Sequence, residues 1–241
     1  MDTFSKTLNE GAAIAKLPLS QRLNSLLTQH WQLVRDANHR FNLTAITDEQ
    51  AAADKHYLDC LIAAHLSDSL WPSSGYAADL GSGGGFPGLV LAAAYPARRF
   101  VLLESARKKT DFLNDSAAAL DLGNVSARPL RAEEAGQQPQ LRGCFDCIMA
   151  RAVAELAVLA EYALPLLRLG GVFLAWKGPE PQAEIAAAAP ALAVLGGELL
   201  QSRGYTLPFS GEGRTLTVIG KTRETPQKYP RRSGMPRKKP L

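Results

Sequence analysis

The sequence predicts an α/β fold, a mostly parallel sheet with helices on both faces, with a helical extension before it and a basic tail after it. Three observations predict this. From Tyr76 onward short apolar runs alternate with helical patterns, as strand-helix-strand units require. Before Tyr76 the periodicity is helical throughout. Between the first apolar run and the next helix lies Ala78 to Gly88, ADLGSGGGFPG, a glycine-rich turn in the position of a ligand loop.

The extension covers residues 1–75. Leu23, Leu26, Leu27, Trp31 and Val34 recur at three- and four-residue spacing and build one apolar helix face through about residue 38. A second helix is predicted over 56–66, after the polar and aromatic junction Arg40-Phe41-Asn42-Leu43-Thr44. Trp71-Pro72-Ser73-Ser74-Gly75 ends the helical region. The alternating domain covers 76–225, with strands predicted at 76–80, 99–104, 124–128, 145–150, 171–176, 199–206 and 214–220. Helices are predicted at 87–94, 106–121, 154–167 and 180–194. Ligands of such sheets sit beyond the carboxyl ends of the strands, so the residues just after strands carry the chemistry. The tail covers 226–241.

Composition bounds the function. With 241 residues, 46% hydrophobic and 21% charged, the chain can bury a substantial core. Cys60, Cys144 and Cys147 form no disulfide framework and fit a reducing compartment. No basic segment followed by an apolar run opens the chain, and no apolar stretch is long enough to span a bilayer. A cytoplasmic protein without a membrane partner is therefore expected. Cys144 and Cys147 fall in or beside a strand, where their odd separation points them to opposite faces and argues against a redox or zinc pair. The histidines, His30, His39, His56 and His65, lack ligand spacing, so no metal is expected. The net charge of +4 is uneven, since Lys221 to Leu241 holds eight Lys or Arg against one Glu. Such a segment suits either polyphosphate contact or mere solubility.

The site candidates follow the strands. Glycines in the loop, Gly81, Gly83 and Gly85 among them, permit positive φ and close approach of a ligand to the backbone. A dinucleotide fingerprint needs glycine at the first, third and sixth positions, and counting from Gly81 the sixth is Phe86. That breaks the match to a dehydrogenase. The pattern instead runs Asp79, one residue, then Gly-x-Gly-x-Gly, which resembles the first motif of S-adenosylmethionine-dependent methyltransferases. An anionic Asp79 suits a cofactor carrying an ammonium and a sulfonium. Glu104 ends the second strand, 23 residues after Gly81, where a carboxylate can accept both ribose hydroxyl protons. Arg131-Ala132-Glu133-Glu134 follows the third strand and reads either as an adenine-edge loop or as an exposed acidic turn. Arg151 ends the fourth strand, where a guanidinium can clamp a phosphate or a guanine acceptor edge. Lys177 ends the fifth, either as a second cation at that rim or as a snorkelling surface lysine.

Taken together, the chain resembles the bacterial 16S ribosomal RNA guanine-N7 methyltransferases, also called the glucose-inhibited division protein B family. The resemblance rests on Phe41 to Thr44, His56-Tyr57-Leu58-Asp59, Asp79 to Gly88, Leu103-Glu104-Ser105 with Lys108 and Lys109, Arg151-Ala152, Trp176-Lys177-Gly178, and Tyr229-Pro230-Arg231-Arg232 through Pro240. It implies a Rossmann-like, seven-stranded methyltransferase core that binds S-adenosyl-L-methionine at Gly81, Phe86, Ala132, Glu133 and Arg151, with Glu104 near the ribose. It also implies, as substrate, a guanine in the 530 loop of 16S rRNA in the small ribosomal subunit. Glu104 stands where aspartate is frequent and Cys60 where serine is expected. Guanine N7 carries a lone pair and no proton, so no general base is required. Arg151 and Lys177 are then the expected catalytic positioning groups, with Asn42, His56 and Asp59 lining the RNA approach. The tail cations Lys228, Arg231, Arg232, Arg237, Lys238 and Lys239 are expected on the RNA backbone.

Overall fold

The computed structural model describes residues 2–241. The extension opens with α1 (Thr3–Ile14), N-capped by Asp2, whose carboxylate accepts from the Ser5 N–H. The periodicity did not isolate this helix, because its buried face mixes Phe4 and Leu8 with Ser5, Thr7 and Gly11. Helix α2 (Gln21–Phe41) buries Leu27, Trp31 and Val34 as predicted, and also Asn24 and His30. The second predicted helix begins earlier than residue 56: α3 (Glu49–Ala52) runs into a wide π-helical turn (Ala53–Leu58) and then α4 (Asp59–Ser67). Short π segments inside helices concentrate at functional sites, and this one carries His56.

The alternating region supplies β1 (Tyr76–Leu80), α5 (Gly88–Ala94), β2 (Arg99–Glu104), α6 (Arg107–Ala119), β3 (Val125–Pro129), α7 (Ala132–Ala135) and β4 (Phe145–Arg151). It continues with α8 (Leu156–Ala163), β5 (Leu167–Lys177), α9 (Gln182–Leu195), β6 (Gly197–Thr206) and β7 (Gly213–Lys221), and the tail adds α10 (Met235–Lys238). The seven strands lie in the order β3-β2-β1-β4-β5-β7-β6, parallel except for β7, which is antiparallel to both neighbours. The predicted strands are all present. Strand β5 starts earlier than expected because Leu167 pairs with Phe145 before the register shifts. Helix α8 is shorter than the predicted 154–167: Ala152 takes φ 58°, and Pro165 follows its last turn.

Alternation along the strands divides two hydrophobic layers. Ala77, Phe100, Leu102, Cys147, Met149 and Leu174 face the layer of Trp31, Tyr57, Leu58 and Leu89. Ala78, Leu80, Val101, Leu103, Ile148 and Phe173 face Leu159, Ala163 and Leu192. The N-terminal helices thus cover one face of the sheet. Cys147 is buried while Cys144 is exposed, and both thiols are free.

Residues 225–237 lie against the sheet's other layer. Arg142 donates to the carbonyls of Gly136, Tyr229, Thr225 and Pro226, and Arg231 forms a fork on Glu161 with Nη2–Oε2 at 2.6 Å and Nε–Oε1 at 2.9 Å. Glu161 is 1% exposed, so Arg231 neutralises a buried carboxylate. The expectation that Arg231 grips RNA is corrected on that ground: its fork is spent inside the protein. Removing one partner of a buried pair leaves the other uncompensated, so Arg231→Ala is expected to cost about 3 kcal/mol of stability in urea titration.

Candidate active site at the carboxyl edge of the sheet

The strand order reverses between β1 and β4, and this switch point opens a crevice at their carboxyl ends. The glycine loop crosses it. Gly83 takes φ 55°, and a Cβ there would meet only the Gly81 carbonyl at 3.9 Å, so its face is open to a ligand. Gly88 is small for another reason, since a Cβ would lie 2.2 Å from Leu102 Cδ2 and 2.7 Å from Asp79 Oδ2. Gly85 takes φ 97°, and a Cβ there would meet Leu89 Cδ1 at 2.7 Å, so the turn is closed against α5 at this position.

Acidic side chains brace the loop. Glu104 Oε2 accepts from the Gly83 N–H at 3.1 Å and Oε1 from the Ala106 N–H at 2.9 Å. Asp79 is fully buried, its Oδ2 accepts from the Gly88 N–H at 3.0 Å, and its Oδ1 has no partner. Burial pushes its carboxyl up to about 6, opposed by the Ser82 and Gly88 hydrogen bonds.

Beside the loop lies a cavity of about 240 Å³, lined by Gly81, Leu103, Ala132, Glu133, Val153 and Tyr162, with Gly234 and Arg237 from the tail. Glu133 is buried and its Oε1 accepts from the Gly234 N–H at 2.9 Å. The structure therefore brings Gly81, Ala132 and Glu133 together around one space, with Glu104 ending the adjacent strand.

Phe86 is elsewhere. Its ring stacks on His56 with centroids 4.5 Å apart, meets Tyr57 edge-on at 5.1 Å and lies 5.4 Å from the Arg151 guanidinium. It is 6% exposed and packs within this aromatic and cationic cluster at the end of the glycine loop. Arg151 Nη1 donates to the Lys55 carbonyl at 2.9 Å and to Asp59 Oδ2 at 3.1 Å, and Nη2 donates to His56 Nδ1 at 3.1 Å. With Nδ1 accepting, the His56 proton sits on Nε2 and is donated to Thr44 Oγ1 at 2.7 Å. Burial, then the Arg151 charge, lowers His56 to about 3, so the imidazole is neutral.

Asp59 is 3% exposed and its second oxygen accepts from the Tyr205 hydroxyl at 2.6 Å. It holds Arg151 and is not presented to RNA, a correction of its expected role. Lys177 is likewise withdrawn: its ammonium, 8% exposed, donates to the Ala154 carbonyl at 3.0 Å and to Glu184 at 2.5 Å, while Glu184 also accepts from the Leu156 N–H. It clamps the turn after Arg151 instead of reaching substrate. Asn42 is exposed at the end of α2, and Lys228, Arg232, Lys238 and Lys239 are exposed in the tail. Arg237 is exposed but donates to the Val153 carbonyl at 3.0 Å at the cavity rim.

His30 and Tyr57 were missed as site residues. His30 Nε2 donates to the Gly84 carbonyl at 3.0 Å and its Nδ1 accepts from the Tyr57 hydroxyl at 3.0 Å, tying α2 to the glycine loop. The available signal was a histidine within the apolar stripe of α2. Among the described residues no cluster fits a metal ion, and no helix is long and apolar enough to cross a membrane.

Comparison with known proteins decides the family. A family model described as rRNA small subunit methyltransferase G (GidB) matches residues 23–208. The chain belongs to this family. It is 43% identical, over the whole of both chains, to "Ribosomal RNA small subunit methyltransferase G" of Pelotomaculum thermopropionicum. It is 48% identical to the protein of that name in Deinococcus radiodurans, over 87% of this chain and 82% of the other. It is thus a methyltransferase by descent. The fold agrees: a 16S rRNA (adenine(1408)-N(1))-methyltransferase of Catenulisporales acidiphilia superposes with a TM-score of 0.52 at 14% identity, over 67% of this chain and 91% of that one. The [4+2]-cyclase SpnF superposes with a TM-score of 0.57 at 13% identity, over 85% and 98%, so fold alone does not choose the reaction.

Burial, offset by the Gly84 hydrogen bond, lowers His30 to about 4. Its unfolded value is about 6.5, so the unfolded chain binds the extra proton between those values. The neutral His30 contribution is therefore full above pH 6.5 and is lost as pH falls toward 4. Asp79, raised by burial, opposes this below about pH 6, so the test is a comparison: in His30→Gln the fall of stability with acidification should be shallower by up to about 1.4 kcal/mol per pH unit, read from urea titrations across that window.

Proposed function

We propose that the protein transfers the methyl group of S-adenosyl-L-methionine to N7 of a guanine in the 530 loop of 16S rRNA, by direct in-line attack without a general base. The observation that carries the reading is the cavity of Gly81, Ala132 and Glu133 at the switch point, with the Arg151 guanidinium and the Phe86–His56 stack held at the end of the neighbouring strand.

The residues of the cavity and of the loop beside it fit the cofactor. Asp79 keeps a buried carboxylate oxygen without a partner beside the loop, a place that a cationic ligand group would satisfy. Glu104 retains lone pairs for hydroxyl donors, and Glu133 with Ala132 offers an adenine edge its carboxylate and backbone. When bound, S-adenosyl-L-methionine supplies an electrophilic methyl on a sulfonium. With the cofactor held there, the guanine N7 lone pair would take that methyl while the C–S electron pair stayed with sulfur, so the residues of the site need only hold and orient the two and move no proton.

The chemistry around Arg151 supports base-free transfer. The His56 lone pair is taken by Arg151, and the Asp59 oxygens are taken by Arg151 and Tyr205. What these residues supply is position: a rigid cation, with 15% of its side chain exposed, over an aromatic floor. Lys177 acts through the turn it clamps. The exposed Lys228, Arg232, Lys238 and Lys239, with Asn42 at the loop side, face the small-subunit rRNA partner.

Incubation of the protein with small subunits lacking the modification and methyl-labelled cofactor should place label in 7-methylguanosine of a 530-loop fragment, as read by nucleoside mass spectrometry. Label in another nucleoside or another fragment would overturn the assignment. Alanine at 151 would strand the buried Asp59, so the informative variant is Arg151→Lys. It keeps the charge, loses the fork and should lower turnover roughly a hundredfold with its thermal midpoint largely kept; turnover near wild type would remove Arg151 from the reaction.

A further inference from the structure

The C-terminal segment reads in sequence as an arm for nucleic acid, yet two of its residues line the cavity proposed for the cofactor. It divides into an anchor and a tip. The anchor is heavily held: Arg142 on three tail carbonyls, Gln137 Nε2 on the Pro230 carbonyl at 2.6 Å, the Arg231 fork on Glu161, and Pro230 packed so closely that a Cβ on Gly136 would sit 2.7 Å from its Cγ. The tip reaches the cavity, with Pro236 buried and Leu241 packed against the same hydrophobic layer. After the exposed Arg232 and Ser233, the Gly234 N–H donates to Glu133 Oε1 at 2.9 Å and Arg237 Nη2 donates to the Val153 carbonyl at 3.0 Å. Both acceptors belong to residues that line the cavity.

We propose that residues 233–239 are a strap across the cofactor cavity, and that Gly234 and Arg237 are positioning residues for cofactor: Gly234 aims the Glu133 carboxylate, and Arg237 holds the turn of Val153 against Gly81. This rests on the cofactor reading above. The geometry makes the strap two-sided. Its inner face sets the cavity wall, and its outer face carries Lys238 and Lys239 to solvent. Because strap and cofactor share Glu133 and Val153, ordering one favours the other, and the linkage is reciprocal. An arm that served only RNA would leave cofactor affinity untouched in the absence of RNA.

The test uses the full-length protein, Arg237→Ala, and a chain ending at Arg232, which keeps the whole anchor. Binding of S-adenosyl-L-methionine is measured by calorimetry without RNA, alongside thermal midpoints of the cofactor-free proteins. Loss of a charge-assisted hydrogen bond at the rim should weaken binding by about fivefold to tenfold in Arg237→Ala, with its midpoint close to wild type, and by more in the shortened chain. In wild type, cofactor should slow tryptic cleavage after Arg237 and Lys238, and Arg237→Ala should lose that protection at Lys238. Unchanged affinity in both variants with cleavage indifferent to cofactor would overturn the strap while leaving the cofactor reading intact. Failure of the wild-type protein to take up S-adenosyl-L-methionine would overturn both.

Discussion

The Arg151 guanidinium, wedged between the end of β4 and the wide turn of Ala53–Leu58, is the connection on which the geometry of the active edge depends. A cation so far from water must be met by acceptors, and the turn supplies them from one short stretch: the Lys55 carbonyl, His56 Nδ1 and the Asp59 carboxylate. The consequences spread outward. Donation to Nδ1 fixes the His56 tautomer and keeps the ring neutral, the ring stacks on Phe86, and Phe86 backs the glycine loop. The N-terminal helices and the sheet thereby share one constraint at the place where substrate must be held.

The glycine loop is held from several directions by groups outside it. His30 takes the Gly84 carbonyl from the helical layer, Glu104 takes the Gly83 N–H from β2, and Asp79 takes the Gly88 N–H from β1. Such bracing costs no reorganisation when a ligand arrives. The partnerless Asp79 oxygen is the exception, a buried polar atom whose electrostatic cost is relieved only by a positive or donating group.

The sheet was legible because each strand is a short apolar run bounded by turn residues, and the position of the glycine loop followed from it. Gly81, Glu104, Ala132, Glu133 and Arg151 lie at or shortly after strand ends, so the topology legible in the sequence brings them to one edge of the sheet. Lys177 was found by the same rule, but its role was misread, since Glu184 on the next helix captures the ammonium. Arg231 was read as an RNA contact for its charge and Asp59 through the family resemblance, yet each is half of a buried pair. Phe86 was legible as a loop residue, but its stacking on His56 joins residues 30 positions apart and has no local signature.

By itself the sequence determined the order of the strands and of the longer helices between them, the ligand loop and the basic character of the tail, because these depend on periodicity and composition within short windows. Only the tertiary structure decided which charges remain free. Arg151 and Asp59 are 92 positions apart, Arg231 and Glu161 are 70, and Gly234 and Glu133 are 101. Pairings over such distances are set by how the layers pack, and no local pattern in the chain records them.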